Sequence, residues 1–288
     1  MIRKEILSAY VELTKPRILS LVLITTALGF FLGGKGIQSW ERLLILLSGV
    51  SLVCGGSAAL NHYLERDVDK LMERTKNRPI PQGVIKPNEA MLFGIVLVLL
   101  GVFILWGEIN LLTAFLSLLT AFLYVLVYTP MKKMTWLNTT IGAIPGALPP
   151  LGGWAAATND LSTGGWILFL ILFLWQHPHF YSIAWIFRED YKRGGLKMLP
   201  VVYPDGKSTF LQIIIFSVLL IPVSLLPTLT GMSGKIYFSG VLISGVIFLM
   251  KGILLTKTKS MSDAKAVLRT SIIYLPLLFF LIVLDVSF

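Results

Sequence analysis

The sequence has little charge and almost no cysteine. Only 14% of its 288 residues are charged and 55% are hydrophobic, whereas about a quarter of a soluble domain is charged. This scarcity of charge excludes an ordinary soluble domain and indicates a membrane protein. Cys54 is the single cysteine, which excludes an intrachain disulfide.

Charge is missing above all from long hydrophobic stretches. Nine of these are long enough to cross a hydrocarbon core as helices, which takes ~20 residues, and the first seven contain no Asp, Glu, Lys or Arg. They are solid apolar runs without the alternation of a barrel, and lipid offers the backbone no hydrogen-bond partners, so helices are predicted. The predicted fold is all-α, a single transmembrane domain (residues 1–288) with nine spans. The spans lie at roughly 18–34, 43–60, 91–107, 111–130, 136–157, 165–187, 210–230, 236–255 and 270–288.

Positive charge is distributed unevenly between the two ends of these spans. Of 25 Lys and Arg residues, all but Lys35, Arg42 and Lys235 fall on one side. The positive-inside rule therefore predicts a cytoplasmic N-terminus and, with nine spans, a C-terminus outside. A start without a signal or transit sequence fits a bacterial cell membrane. Anionic membrane lipid accounts for the net charge of +10, so no nucleic-acid partner is predicted.

Two long charged loops, residues 61–90 and 188–209, both lie on the predicted cytoplasmic side. Each follows the second helix of a possible four-helix unit. This indicates a pseudo-repeat of spans one to four and five to eight, with the ninth span as an addition. Polar chemistry is concentrated in these loops, which are predicted to carry the active site.

The fifth stretch, residues 136–157, is rich in proline and glycine, including Pro145, Pro149 and Pro150. Proline removes backbone donors, and such breaks are tolerated where a helix lines a cavity. A central cavity is one interpretation. Close packing of helices through small residues is the other.

The first charged loop opens with NHYLERDVD. Asn61, Glu65 and Asp69 are spaced by four and form one stripe on a helix, whereas Asp67 points the opposite way. One amide and two carboxylates are hard oxygen ligands suited to Mg²⁺ that also binds phosphate. The alternative is a solvated helix end with ordinary ion pairs.

Basic and aromatic side chains follow this stripe. Arg74 and Arg78 come soon after it, and Tyr124, Tyr128 and Lys132 share one face at the end of the fourth span. Arginine, lysine and tyrosine can all donate to phosphate oxygens. The positive-inside bias and an aromatic belt with snorkelling lysines would explain the same residues without a ligand.

The second charged region contains a further set of candidates. Glu189 and Asp190 end the sixth span and could complete a second metal site around one diphosphate. His177 and His179 flank Pro178 within that span. A histidine at this depth is a candidate functional residue, for instance a haem ligand, or else a buried hydrogen-bonded side chain.

Several motifs together carry a family resemblance. The stretch NHYLERDVDKLMERTKNRP resembles the first aspartate-rich motif of the UbiA-type intramembrane prenyltransferases, and its M-x-R-T-x-x-R-P ending resembles the branch that farnesylates haem. TKPRI, YTPMKK, GALPPLGGWAA, HPHF and DYKRGGLKMLPVV are similar to the same branch. The resemblance covers residues 14 to about 209.

This resemblance implies an activity and a set of site residues. The activity is Mg²⁺-dependent transfer of a farnesyl group from farnesyl diphosphate to a vinyl group of haem b, giving haem O and diphosphate, with haem A synthase as a possible partner. The implied fold is a set of helices around a central cavity. The implied metal ligands are Asn61, Glu65, Asp69 and Asp190, with Asp67 as a further catalytic acid; the diphosphate ligands are Arg74, Arg78, Tyr128 and Lys132; and the haem candidates are His177 and His179.

The sequence departs from the family pattern at two positions. Glu65 stands where Asp is common, which leaves open whether Glu65 or Asp67 binds metal. Gly194 stands four residues after Asp190, where the wider family has a second acid, and this weakens the case for a full second metal site.

Two other functions remain as alternatives. A UbiA-type enzyme acting on an aromatic quinone precursor would share the first motif but not the M-x-R-T ending. A transporter for an anionic lipid or metabolite belongs to a different class. Acids grouped at one membrane face argue against transport, because a transport site should lie near the bilayer midplane.

Overall fold

The protein is built from helices. The computed structural model describes the backbone of residues 2–286 and the side chains of residues 5–286. Residue 1 and the last two residues of the ninth predicted span lie outside that description. Strand geometry within it is limited to an isolated bridge between Ser233 and Val286, so the predicted all-α class is confirmed. The helices are α1 (Ile2–Leu13), α2 (Pro16–Gly33), α3 (Trp40–Asp69), α4 (Pro87–Glu108), α5 (Leu111–Phe122), a π-helical turn (Leu123–Tyr128), α6 (Thr129–Met134), α7 (Asn138–Thr158), α8 (Thr163–Ile186), α9 (Arg188–Arg193), α10 (Leu199–Val202), α11 (Lys207–Leu229), α12 (Lys235–Thr258) and α13 (Met261–Leu284).

The predicted number of nine spans is wrong by one. Every predicted stretch overlaps a helix, but within residues 2–286 eight helices are both long and apolar enough to cross a membrane, when α5, the π-helical turn and α6 are counted as one continuous helix (Leu111–Met134). The exception is α7, the fifth predicted span. Its 21 residues begin with Asn138 and two threonines and contain three prolines, so its helix is less apolar than its neighbours.

The length of α3 positions the first charged motif. A serine cap, Ser39, accepts a hydrogen bond from the Arg42 backbone N–H at the start of the helix. The helix then runs for 30 residues to Asp69, well past the apolar stretch that ends near residue 60. At 1.5 Å per residue it is about 45 Å long, which exceeds a hydrocarbon core of about 30 Å. Its last turns therefore extend beyond the apolar layer.

Two compact units make up the described chain. Residues 1–134, 148–161 and 192–196 form the first unit. Within it α3 and α4 cross closely, because a Cβ on Gly56 would lie 2.6 Å from the Gly94 carbonyl oxygen and one on Gly101 would lie 2.6 Å from that of Gly49. Such small residues let helix backbones touch.

The second half of α7 also packs tightly within this unit. A Cβ on Gly153 would lie 1.9 Å from the Thr26 carbonyl oxygen, and one on Gly29 would lie 2.0 Å from that of Pro150. At these positions the glycines serve close packing of α2 against α7, which is the second of the two interpretations of this stretch.

The second unit comprises residues 135–147, 162–191 and 197–288. In it α8 packs on α11 and α13, and α12 packs on both of the latter. Buried hydroxyls hold the last three helices together: Tyr274 donates to Ser224 Oγ at 2.9 Å, and Tyr237 donates to the Ser224 carbonyl oxygen at 2.8 Å. Satisfying polar groups in this way is required where no water is available.

Candidate active site

The last turns of α3 place the predicted stripe on a buried face. Asn61 and Asp69 are fully buried and Glu65 is 8% exposed. Asp67 lies on the other face, where its side chain is 69% exposed and its nearest cation is Lys70 at 3.4 Å. The helical spacing thus brings together one amide and two carboxylates and separates them from Asp67.

Asp69 is held by an arginine from the loop after α3. Arg78 Nη1 lies 2.9 Å and 2.8 Å from the two carboxylate oxygens of Asp69. The hydroxyl of Thr75 donates to the Asp69 carbonyl oxygen at 3.0 Å, which ties the loop back to the helix end. This pair is charge-assisted, and Asp69 is fully buried.

Glu65 is held by a lysine from α6. Lys132 Nζ lies 2.7 Å from Glu65 Oε1, and both side chains are at most 15% exposed. The same ammonium sits 4.5 Å from the centre of the Tyr128 ring, as a cation–π contact. Tyr128 in turn lies 5.8 Å from Tyr124, ring centre to ring centre.

Asn61 is contacted by Lys15, which lies in the TKPRI motif but outside the predicted set of site residues. Lys15 Nζ donates to Asn61 Oδ1 at 2.6 Å and to the Tyr124 hydroxyl at 3.3 Å. Lys15 precedes Pro16 at the start of α2, with φ of 51°, a left-handed conformation that is strained for lysine. Desolvation, together with the nearby Arg78 and Lys132, lowers the pKa of Lys15 to about 7.

These six side chains form one group, which we call the charged cluster. It consists of three side chains with oxygen acceptors and three cations from three other parts of the chain: Asn61, Glu65 and Asp69 with Lys15, Arg78 and Lys132.

His62, next to Asn61, is also buried, with 2% exposure. Neither of its ring nitrogens has a hydrogen-bond partner within the part of the chain that the structure describes. In the sequence, only its position next to Asn61 indicates that His62 lies near the site.

Two further motif positions of the first unit, Arg74 and Gly194, lie outside the charged cluster. Arg74 is exposed on the loop after α3. Gly194 packs against the end of α3 and the loop after it, since a Cβ there would lie 3.1 Å from side-chain atoms of Val68 and Met72. A second acid at position 194 would not fit without displacing them.

The second unit contains the other predicted site residues. Asp190 lies on α9 and is 7% exposed, whereas Glu189 beside it is 74% exposed. His177 is fully buried, with Nδ1 2.7 Å from the Phe173 carbonyl oxygen and Nε2 3.2 Å from Thr140 Oγ1. Both ring nitrogens of His177 are therefore engaged.

His179 has a different arrangement. Its Nδ1 lies 2.8 Å from Ser271 Oγ, and Ser271 donates its own hydroxyl hydrogen to the Leu268 carbonyl oxygen at 2.6 Å. Ser271 must accept from His179, so Nδ1 carries the proton and Nε2 has a lone pair. A metal-binding histidine is typically held this way, with its other nitrogen donating to a fixed acceptor.

The donor set of the charged cluster fits Mg²⁺. Carboxylate and amide oxygens at the end of one helix are the ligands this ion prefers, with phosphate oxygens and water completing its shell. No group of three or more His, Cys, Asp or Glu side chains comes together within residues 5–286. A complete cage made from these protein groups is therefore not present there, and a site shared with phosphate is the arrangement that fits.

A comparison with protein families matches nearly the whole chain. The model described as the UbiA prenyltransferase family covers residues 22–282. The chain belongs to this family. It is accordingly a prenyltransferase with a multi-span membrane fold, which excludes the transporter alternative.

Curated relatives within the UbiA family are named more narrowly. A protoheme IX farnesyltransferase of Solibacter usitatus is 47% identical over 285 residues, covering 96% of this chain and 98% of the relative. Another of that name, from Salinibacter ruber, is 48% identical over 276 residues with the same coverage.

Solved structures of UbiA-type proteins share the fold. A digeranylgeranylglyceryl phosphate synthase aligns with a TM-score of 0.83 at 23% identity, covering 98% of both chains. A UbiA homolog from Archaeoglobus fulgidus, bound to GPP and Mg²⁺, aligns with a TM-score of 0.71 at 18% identity, covering 96% of this chain and 99% of that one. At these identities the likeness establishes the fold alone.

Proposed function

We propose that this UbiA-family enzyme transfers a farnesyl group from farnesyl diphosphate to a vinyl group of haem b, with Mg²⁺, to give haem O and diphosphate. The names of relatives that are 47% and 48% identical over 96% of the chain support these substrates. The observation that carries the proposal is the charged cluster. It combines buried oxygen ligands for a metal with cations for phosphate, as transfer from a diphosphate requires.

The cluster would bind the leaving group. Asn61, Glu65 and Asp69 would hold Mg²⁺, which supplies positive charge to the diphosphate when bound. Arg78, Lys132 and Lys15 would donate to diphosphate oxygens. Asp190 as a further metal ligand, and Arg74 and Tyr128 as further diphosphate ligands, stay predictions.

Charge stabilisation is the main chemical task. As the C1–O bond of farnesyl diphosphate breaks, its electron pair leaves with the diphosphate, and fixed cations at these oxygens lower the barrier. The π electrons of the vinyl group form the new bond to C1. The cation left beside the porphyrin ring takes up the oxygen of one water molecule and releases one proton, which gives the hydroxylated side chain of haem O.

His179 is the better candidate for the haem iron. The lone pair on its Nε2 and the hydrogen bond from Nδ1–H to Ser271 suit an axial ligand, whereas both nitrogens of His177 are engaged. A His179→Ala variant should lose the shift of the haem absorption maximum that wild type induces. An unchanged spectrum would remove His179 from this role.

Product analysis tests the function. Purified protein in lipid would be incubated with haem b, farnesyl diphosphate and Mg²⁺, and the products analysed by mass spectrometry. Wild type and an Asn77→Ala control on the exposed loop should form haem O, whereas EDTA, Asn61→Ala and Asp69→Asn should abolish it. Prenylation of an aromatic acid in place of haem would support the quinone branch. Undiminished haem O in the variants would exclude the charged cluster as the active site but would still support the proposed function.

The membrane orientation is part of the proposal. We place the protein in the cell membrane with the N-terminus and the loop after α3 in the cytoplasm, because of the bias in Lys and Arg. In a Cys54→Ser background, Asn77→Cys should react with an impermeant maleimide only after permeabilisation, and Gln38→Cys should react in intact cells. The reverse result would invert the topology. A contact with haem A synthase stays a prediction.

A further inference from the structure

The orientation of the Asn61 amide decides what it can bind. One end is a carbonyl oxygen, which can ligate a cation, and the other is an NH₂ group, which cannot. Asn61 Oδ1 lies 2.6 Å from Lys15 Nζ, and Nδ2 donates to Thr129 Oγ1 at 2.9 Å. Asn61 is fully buried and Thr129 is 5% exposed. Thr129 is absent from the set of site residues predicted from the sequence.

Thr129 can act only as an acceptor toward Asn61. Its single hydroxyl hydrogen is donated to the Tyr124 carbonyl oxygen at 2.9 Å, so lone pairs alone face the amide. A flipped amide would set its oxygen against those lone pairs. It would also set NH₂ against the Lys15 ammonium. Both contacts therefore favour the orientation with Oδ1 toward the cluster.

The π-helical turn places Thr129 at this point. Residues Leu123–Tyr128 form the turn, and Thr129 begins α6 directly after it. A π turn adds one residue to the helix and so rotates the residues after it by about 100° relative to a continuous α-helix. This rotation sets the direction of both Thr129, which contacts Asn61, and Lys132, which contacts Glu65.

We propose that Thr129 is a positioning residue that holds the Asn61 carbonyl oxygen toward the metal. The inference rests on the proposed function, in which Lys15 turns to the diphosphate. Once Lys15 has left Asn61 Oδ1, the hydrogen bond to Thr129 is the contact that keeps the amide from flipping. Residues that orient metal ligands in this way typically contribute a factor of about 10 to 100 in metal affinity.

Metal binding with matched variants tests this role. The probe is Mn²⁺ in the presence of inorganic diphosphate, with free Mn²⁺ measured by electron paramagnetic resonance on the full-length protein in detergent. Thr129→Val has nearly the shape of threonine without the hydroxyl and should bind Mn²⁺ about tenfold more weakly or worse. Thr129→Ser keeps the hydroxyl and should restore binding. Thr113→Val is the control, since Thr113 is fully buried and its hydroxyl has no partner within the described residues.

An Asn61→Asp background separates orientation from general damage. A carboxylate presents an oxygen to the metal whichever way it is rotated, so adding Thr129→Val to Asn61→Asp should weaken Mn²⁺ binding much less than it does in wild type. The same factor in both backgrounds would show general damage and overturn the proposal. Thermal unfolding of each variant shows whether it is folded, and Thr129→Ala replaces the Val variant if the latter is not: binding about tenfold weaker supports the role, and full affinity overturns it.

The outcomes distinguish this inference from the proposed function. Wild type that binds no Mn²⁺ with diphosphate would overturn the proposed metal site and this inference with it. Wild type that binds, with Thr129→Val equal to it, would overturn only the positioning role of Thr129.

Discussion

At the scale of single residues, the charged cluster would serve two purposes with the same side chains under the proposed function, namely stability and the binding of diphosphate. A buried carboxylate that lacks a partner is strongly destabilising, and Asp69 and Glu65 are each paired with a cation at 2.7 to 2.9 Å. The cations that stabilise these carboxylates are also those that suit diphosphate oxygens. The effect of a substitution on stability can therefore be separated from its effect on activity only with variants that change one of the two.

Glu65 and Asp67 can be distinguished by matched amide substitutions. Glu65→Gln removes a buried charge from the cluster and should lower kcat/KM by about a hundredfold or more, the range for one electrostatic group in an active site. Asp67→Asn changes an exposed side chain and should stay within about twofold of wild type. Rates of haem product formation check this. A larger loss in Asp67→Asn would place the ligand at Asp67.

The two predicted diphosphate arginines should differ in their effect on stability. Arg78→Met leaves the Asp69 carboxylate buried without its partner and should lower the free energy of unfolding by about 3 kcal/mol, the lower end of the range for broken buried pairs. Arg74→Met alters an exposed residue and should change it by less than about 1 kcal/mol, the range for exposed charge pairs. Unfolding in detergent followed by circular dichroism measures both. Equal effects would contradict the structural difference between them.

Part of this site could be predicted from local spacing. Asn61, Glu65 and Asp69 fall on one face because helical residues four apart are neighbours, and Asp67 falls on the other. Lys15 is 46 positions from Asn61, and its contact depends on how α2 meets α3. Lys15 belongs to the TKPRI motif that carries the family resemblance, but no local pattern encodes its contact with Asn61, so that contact required the three-dimensional structure.

At the scale of elements, α7 shows what hydropathy can predict and what it cannot. The apolar stretch 136–157 correctly predicted a helix, which spans Asn138–Thr158. Its glycines and prolines left open whether it lines a cavity or packs closely. The contact of Gly153 with Thr26 favours close packing at that point, and it depends on a helix more than a hundred residues away.

Adjacent glycines on α7 provide a matched test of this packing. Gly153→Ala would place a Cβ 1.9 Å from the Thr26 carbonyl oxygen and should destabilise the protein by about 1–3 kcal/mol through overpacking. Gly152→Ala meets nothing within 4 Å, and alanine is the better helix former by about 1 kcal/mol, so it should be neutral or stabilising. Thermal unfolding midpoints of the two variants and wild type in detergent test this prediction. A stable Gly153→Ala protein would contradict the close approach of α2 and α7.

At the scale of the whole molecule, composition predicted the class but not the division into units. Long uncharged runs require helices in lipid, and every predicted span is largely helical within the described residues. Residues 148–161 and 192–196 group with residues 1–134, a grouping set by tertiary contacts between distant segments. The pseudo-repeat of spans one to four and five to eight stays a prediction.

Metal and diphosphate should bind to this enzyme together. Each oxygen ligand of the cluster already contacts a cation of the chain, and a metal alone would have to compete with those cations. Diphosphate gives the three cations other partners and adds ligands for the metal, so each ligand should strengthen the other. Because such coupling is reciprocal, Mn²⁺ should bind at least about tenfold tighter with inorganic diphosphate, and diphosphate tighter by the same factor with Mn²⁺. Calorimetric titrations in both orders, corrected for Mn²⁺–diphosphate complexes in solution, measure both factors. Lys132→Met should reduce the coupling, and metal affinity that is independent of diphosphate would show that the cations do not compete.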